Sequence, residues 1–132
     1  MIVDPQNFPW KDNRWQDLFS FLKGKGFDVY SPATKVGECT SPYLVVTYSG
    51  TSEWFVGDKG VGGVDRDVYS IIVYVPKKRY SELETLVFRV KEAMAELKPL
   101  FIYEGSIDTV FYDDDVKAHM TSIDYRNYKQ RF

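Results

Sequence analysis

The sequence predicts an α+β domain, with two amphipathic helices packed on one face of a mainly antiparallel sheet, a long glycine-rich inter-strand loop and a C-terminal hairpin. Three observations carry this expectation. Apolar residues recur at helical spacing in two well-separated segments. The remaining apolar residues fall in short runs rich in β-branched and aromatic side chains. Near the C-terminus, apolar and polar residues alternate on both sides of three consecutive aspartates. Two helices and several antiparallel strands bury their apolar faces most simply as two layers.

Taken in order, residues 1–11 form an N-terminal arm with neither a basic leader nor an apolar stretch, and no export signal is expected. In "DNRWQDLFSFLKGKG", Trp15, Leu18, Phe19 and Leu22 share one helical face. Asn13 with Gln16 suits the helix start, and Gly24 or Gly26 suits its end. "FDVYS" reads as a short strand, "PATKVGECTSP" as an irregular connection, and "YLVVTYS" (43–49) as a buried strand. Residues 50–66 read as a flexible loop, since four glycines fall between Gly57 and Gly63. "RDVYSIIVYVP" (66–76) is the most continuously apolar strand. In the helix that follows, Ser81 and Glu84 form a capping box, and Leu83, Leu86, Val87, Val90, Met94 and Leu97 form the stripe that faces the core. Lys98-Pro99 stops it. The charged Glu82, Arg89, Lys91, Glu92 and Glu96 take the other faces. "LFIYEG" is a strand. "SIDTVFY" and "VKAHMTSIDYR" then make a hairpin with Asp113, Asp114 and Asp115 at its tip.

The 132 residues suit a single domain spanning 1–132. Net charge is −2, and the only tight basic run is Lys77, Lys78 and Arg79. Phosphate binding needs clustered Lys and Arg, so nucleic acid is not expected as the main ligand. The aromatic-basic strand motif of single-strand RNA binders is also missing. Ten tyrosines and nine phenylalanines suit half-buried strands or protein interfaces. A single cysteine, Cys39, rules out a disulfide framework within the chain and any cysteine-based zinc motif. It reads as incidental to the loop that carries it.

Two places invite a chemical reading. In the glycine-rich loop, Gly57, Asp58, Lys59, Gly60, Gly62 and Gly63 hint at a phosphate cradle. A P-loop needs its lysine followed by Ser or Thr and a helix, whereas Lys59 is followed by Gly60 and then a strand. At the hairpin, Asp113, Asp114, Asp115 and His119 are the side-chain types a metal site uses. An EF-hand loop would require a central glycine and a distal glutamate, both missing here. Zinc or iron normally takes a second histidine, and His119 is the only one. In an extended strand His119 lies roughly 13 Å from Asp115. No Gly-x-Ser-x-Gly elbow presents a nucleophile to His119. The expectation is a turn of aspartates, with His119 on a polar strand face beside Lys117 and Thr121, and no metal, cofactor or catalytic residue.

The chain resembles the tail terminator (tail completion, head-tail joining) proteins of long-tailed bacteriophages and prophages. The matching stretches are "VYSPATKVGECTSPYLVV", "DRDVYSIIVYVPKKRYSELETLVFRVKEAMAEL" and "KAHMTSIDYRNYK". They are pattern similarities over most of the chain, without a signature residue. The resemblance implies a non-enzymatic virion protein that forms a homo-oligomeric ring, commonly a hexamer. Such a ring caps the head-proximal end of the tail tube, stops polymerisation of the tube protein and offers a docking surface to the head-completion or connector protein. DNA passes through its lumen without sequence-specific binding, and no membrane is involved. It implies assembly in the host cytoplasm and residence at the head-tail interface of the virion. Asp113, Asp114 and Asp115 and the loop residues Gly57, Asp58, Lys59, Gly60, Gly62 and Gly63 are then candidate lumen or partner contacts. The alternatives are another phage neck protein, or a small metal-dependent enzyme using His119 with Asp113 or Asp115.

Overall fold

The computed structural model describes residues 14–54, 64–98, 100–104 and 109–129, and for 51–54, 64–66 and 128–129 the backbone alone. Helix α1 spans Arg14–Gly24 and buries Leu18, Phe21 and Leu22, with Trp15 and Phe19 at the margin of the same core. The Trp15 Nε1–H donates to the Val46 carbonyl (2.7 Å), which fastens the helix to the sheet. The helix ends as its glycines predict. Gly26 adopts φ +94, its N–H donates to the Lys23 carbonyl, and the Phe27 N–H reaches back to the Leu22 carbonyl. This is a Schellman motif closed by apolar contact between Phe27 and Leu22.

The strands are β1 (Val29–Tyr30), β2 (Tyr43–Trp54), β3 (Val64–Pro76), β4 (Phe101–Tyr103), β5 (Phe111–Asp113) and β6 (Ala118–Lys129). They form a six-stranded sheet in the order β1-β2-β3-β6-β4, with β5 paired to β6 on the same edge as β4. All pairings are antiparallel except that of β1 with β2. The fold class is therefore α+β with two helices and a mostly antiparallel sheet, as the periodicities indicate.

Part of the expected loop over 50–66 is strand. Strand β2 continues to Trp54 and β3 begins at Val64, with Thr51 to Trp54 in register opposite Asp67 to Val64. The misreading lies at Gly50. It marks a bulge in the strand, where the register slips between Tyr48 and Gly50 and φ is +113, and not the strand's end. Gly57, Asp58, Lys59, Gly60, Gly62 and Gly63 lie outside the described residues, as does the 1–11 arm.

Helix α2 spans Leu83–Met94 and buries Leu83, Leu86, Val90, Ala93 and Met94, while a short 3-10 turn carries Leu97 into the core. The expected capping box does not form. The chain leaves β3 as a 3-10 helix over Lys77–Glu82, so the Leu83 N–H already donates to the Tyr80 carbonyl. Glu82 takes the N-cap position with helical dihedrals and pairs with Arg79 instead. Neither Ser81 nor Glu84 is then placed to cap.

Both helices cover one face of the sheet. Leu44 and Val46 of β2, Tyr69, Ile71, Val73 and Val75 of β3, Phe101 of β4, and Ile123 and Tyr125 of β6 meet them there. Burying each large apolar side chain contributes about 1.5–3 kcal/mol. A smaller cluster lies on the opposite face. There the 31–42 connection folds Cys39 against Tyr43 and Ala118, with Tyr30, Val45, Tyr74 and Val116 around them. The Cys39 N–H donates to the Val116 carbonyl (2.7 Å). Cys39 is thus a packing residue of that cluster rather than an incidental one, and burial pushes its thiol pKa up.

Candidate functional site

The hairpin exists, but its tip is displaced by one residue. Asp113 is the last residue of β5, opposite Ala118, and the turn comprises residues 114–117. The Asp115 N–H donates to Asp113 Oδ1 (3.0 Å), the aspartate-to-backbone bond that makes Asp a turn former. Lys117 Nζ pairs with Asp114 Oδ1 at 3.0 Å on the exposed surface.

His119 sits opposite Tyr112 of β5 and Val75 of β3. Successive residues of a strand point to opposite faces. His119 therefore shares the helix-covered face with Val75, whereas Asp113 shares the other face with Ala118. Burial raises the pKa of Tyr43 and Tyr74, both in the cluster on that other face, and the Asp113 carboxylate adds to it. His119 and Asp113 are thus on opposite sides of the sheet and do not converge on one ion. Among the described residues no group of three or more His, Cys, Asp or Glu side chains could hold a metal.

The expected polar face for His119 requires correction. Its alternation partners Thr121, Ile123 and Tyr125 are buried beneath the helices. The His119 ring stands edge-on to Tyr80 (4.6 Å between centroids) and to Tyr112 (5.1 Å). A crevice of about 330 Å³ opens beside it, lined by Tyr80, Leu83, Val87, Val110 and Thr121 among others. A second cavity of about 380 Å³ lies between the α1–β1 connection and the start of α2, bounded by Phe27, Asp28, Glu82 and Arg89. There Arg89 lies over the Phe27 ring at 5.4 Å, and Glu82, held below the usual carboxylate range by Arg79, is paired on the surface.

The surface that stands out is one the sequence pattern did not single out. Val110, Phe111 and Tyr112 are consecutive and exposed to 41%, 60% and 39%; Phe111 and Tyr112 lie on the edge strand β5, and Val110 just precedes it. Tyr80, at 53%, lies beside Tyr112 through the shared His119 ring, and Phe88, at 63%, projects from α2 one turn beyond Glu84 of the crevice. Phe111 lies on the face away from the helices and Tyr112 on the covered face, so exposed apolar side chains flank this edge on both sides, which marks it as an association surface. A signal was available in the sequence, because "TVFY" is apolar at positions of both parities, which a strand with one solvated face does not require.

The sheet face away from the helices carries a second pattern. Ser70 Oγ and Ser122 Oγ both donate to Asp124 Oδ1 (2.7 and 2.9 Å), and Ser49 Oγ shares a hydrogen bond with Ser70 Oγ (2.8 Å). This hydroxyl ladder crosses three strands. At the far end of the covered face, Asp67 and Asn127 are buried opposite each other; the Tyr48 hydroxyl donates to Asp67 (3.2 Å) and Asn127 Nδ2 donates to the Leu100 carbonyl (2.7 Å).

No protein-family model matches the chain, and no curated protein matches it. Among the described residues no helix is long and apolar enough to cross a membrane.

Proposed function

We propose that this chain is a non-enzymatic virion assembly protein of the tail-terminator kind. In this reading it forms a ring, six-fold in the expected case, that caps the head-proximal end of a tail tube. The ring stops polymerisation of the tube protein and presents a surface to the head-completion protein, while DNA passes through the lumen. It assembles in the host cytoplasm and stays in the virion. The observation that carries the reading is the exposed apolar edge of Phe111 and Tyr112, with Val110 before it and Tyr80 beside Tyr112 across the His119 ring. Such a surface is costly to leave in water and suits a chain that works by association. The acidic run that ends β5 and opens the turn, Asp113 to Asp115, suits a partner or lumen contact, because like charge repels DNA phosphate.

The reading is tested by adding the purified full chain to polymerising tube protein from the same genome. The expected result is short capped tubes with a ring at one end under negative stain. Tubes that elongate unchanged, with no ring at either end, would overturn it.

A further inference from the structure

Among the described residues the sheet has two open edges at the same end, and they match. On one side is β5. On the other is β1, a two-residue strand paired to β2 alone. Val29 lies opposite Leu44, so the preceding Asp28 falls level with Tyr43; Tyr43 is opposite Tyr74, Tyr74 opposite Met120, and Met120 opposite Phe111. Asp28 and Phe111 therefore occupy the two ends of one transverse row, on the same face of the sheet.

The strand directions also match. β1 is parallel to β2, and three antiparallel steps then lead through β3 and β6 to β5. β5 therefore runs antiparallel to β1. A further copy placed beside the first in the same orientation would set its β1 antiparallel to the first copy's β5. That is the pairing with the better hydrogen-bond geometry. In a parallel pair the residues that bond the neighbouring strand alternate with residues that do not. Because the Leu44 N–H bonds the Asp28 carbonyl, the Val29 N–H and C=O point away from β2.

The charges differ in sign. Asp113 ends β5 and Asp114 and Asp115 follow it, whereas Lys23 and Lys25 lie at the end of α1 just before β1, and Lys35 follows β1 over the Tyr30 ring (5.2 Å). Lys25 is already held by Glu96 and Asp114 by Lys117, which leaves Lys23 and Lys35 on one side and Asp113 and Asp115 on the other. Asp28, hydrogen-bonded by the Tyr30 hydroxyl, is the acid on the β1 side.

We infer that the partner of the β5 edge is the β1 edge of a second copy of this chain, so that the sheet continues from subunit to subunit. The contact joins two different edges of the same molecule, and a contact of that kind closes into a ring when its rotation permits. The inference rests on the ring reading above and adds to it which edges meet.

Cysteines at the two ends of the row test it. Directly opposed residues of neighbouring antiparallel strands fall within disulfide reach. The variant Asp28→Cys/Phe111→Cys is to be oxidised and run on non-reducing gels beside each single variant, with wild-type protein viewed by negative stain. The expected result is a ladder of cross-linked species ending at a closed oligomer in the double variant and no ladder in either single variant. Dimers from Phe111→Cys alone would show β5 meeting β5 and overturn the inference. Wild-type rings without a ladder in the double variant would overturn the β5–β1 pairing while leaving the ring reading intact. A wild-type chain that assembles neither alone nor with tube protein would overturn both.

Discussion

Ile71 and Ile72 are neighbours on β3, yet one is fully buried under the helices and the other only partly buried on the opposite face. The covered face is a continuous aliphatic and aromatic core. The other is divided between a tyrosine cluster under the 31–42 connection and a ladder of serine hydroxyls on Asp124. Stability in this chain belongs to the first face. The second face and its edges have exposed area left for contact with other molecules.

The sharpest contrast uses that pair. Ile71→Ala removes a side chain from a site with no room to relax and is expected to cost about 3 kcal/mol, within the roughly 2–5 kcal/mol span for such changes. Ile72→Ala is expected to cost about 1 kcal/mol or less. Urea unfolding of both variants measures the difference, and equal losses would mean that a second layer covers the open face.

A smaller effect is expected at the end of α1. Gly26→Ala forces a side chain into left-handed backbone and is expected to cost about 1–2 kcal/mol. Gly24→Ala, inside the helix with open space around its Cα, is expected to be neutral or stabilising by about 0.5 kcal/mol. Thermal unfolding of the two variants should move in opposite directions or separate by several degrees. On the open face, Asp124→Ala strips the acceptor from two serines and is expected to cost about 1 kcal/mol, since those hydroxyls can turn to water.

The smallest effect appears only in alkali. The Tyr43 hydroxyl pKa is pushed up to about 12, mainly by burial and further by Cys39, Tyr74 and Asp113. Its folded value exceeds the ordinary 10.0, so the fold favours the neutral phenol. That contribution is complete below about pH 10 and is lost as pH rises through about 12. Burial also raises Tyr69 and Tyr125 on the covered face. Tyr43→Phe should therefore leave stability at neutral pH nearly unchanged and move the alkaline unfolding midpoint modestly upward, followed by tyrosinate absorbance. An unchanged midpoint would show that Tyr69 and Tyr125 alone set it.

The same two faces show how much could be read beforehand. Periodicity located both helices and the long strands because burial on one side imposes it, as in Leu18 and Leu22 of α1 or Leu86 and Val90 of α2. Alternation also sorted β6 into two correct sets of side chains. It could not say which set the helices cover, since His119 and Thr121 are polar residues on the covered face while Ala118 and Met120 are apolar residues on the other. Gly50 misled because a glycine that marks a bulge and one that ends a strand look alike in sequence. The capping box failed at Ser81 because the 3-10 segment from Lys77 had already placed the helix start one residue later. A turn beside the aspartates was legible from turn chemistry, one residue out of place because Asp113 still pairs in β5, whereas the apolar edge beside it left only the break in alternation at "TVFY" as its signal.

The central claim is that this molecule acts by joining copies of itself through that edge. Sedimentation velocity of the full chain over a concentration series, beside Phe111→Asp, tests it most directly. A closed oligomer is expected for the native chain, and for Phe111→Asp a folded monomer with unchanged urea stability. A native chain that sediments as a monomer at every soluble concentration, or a variant that assembles as well as the native chain, would contradict it.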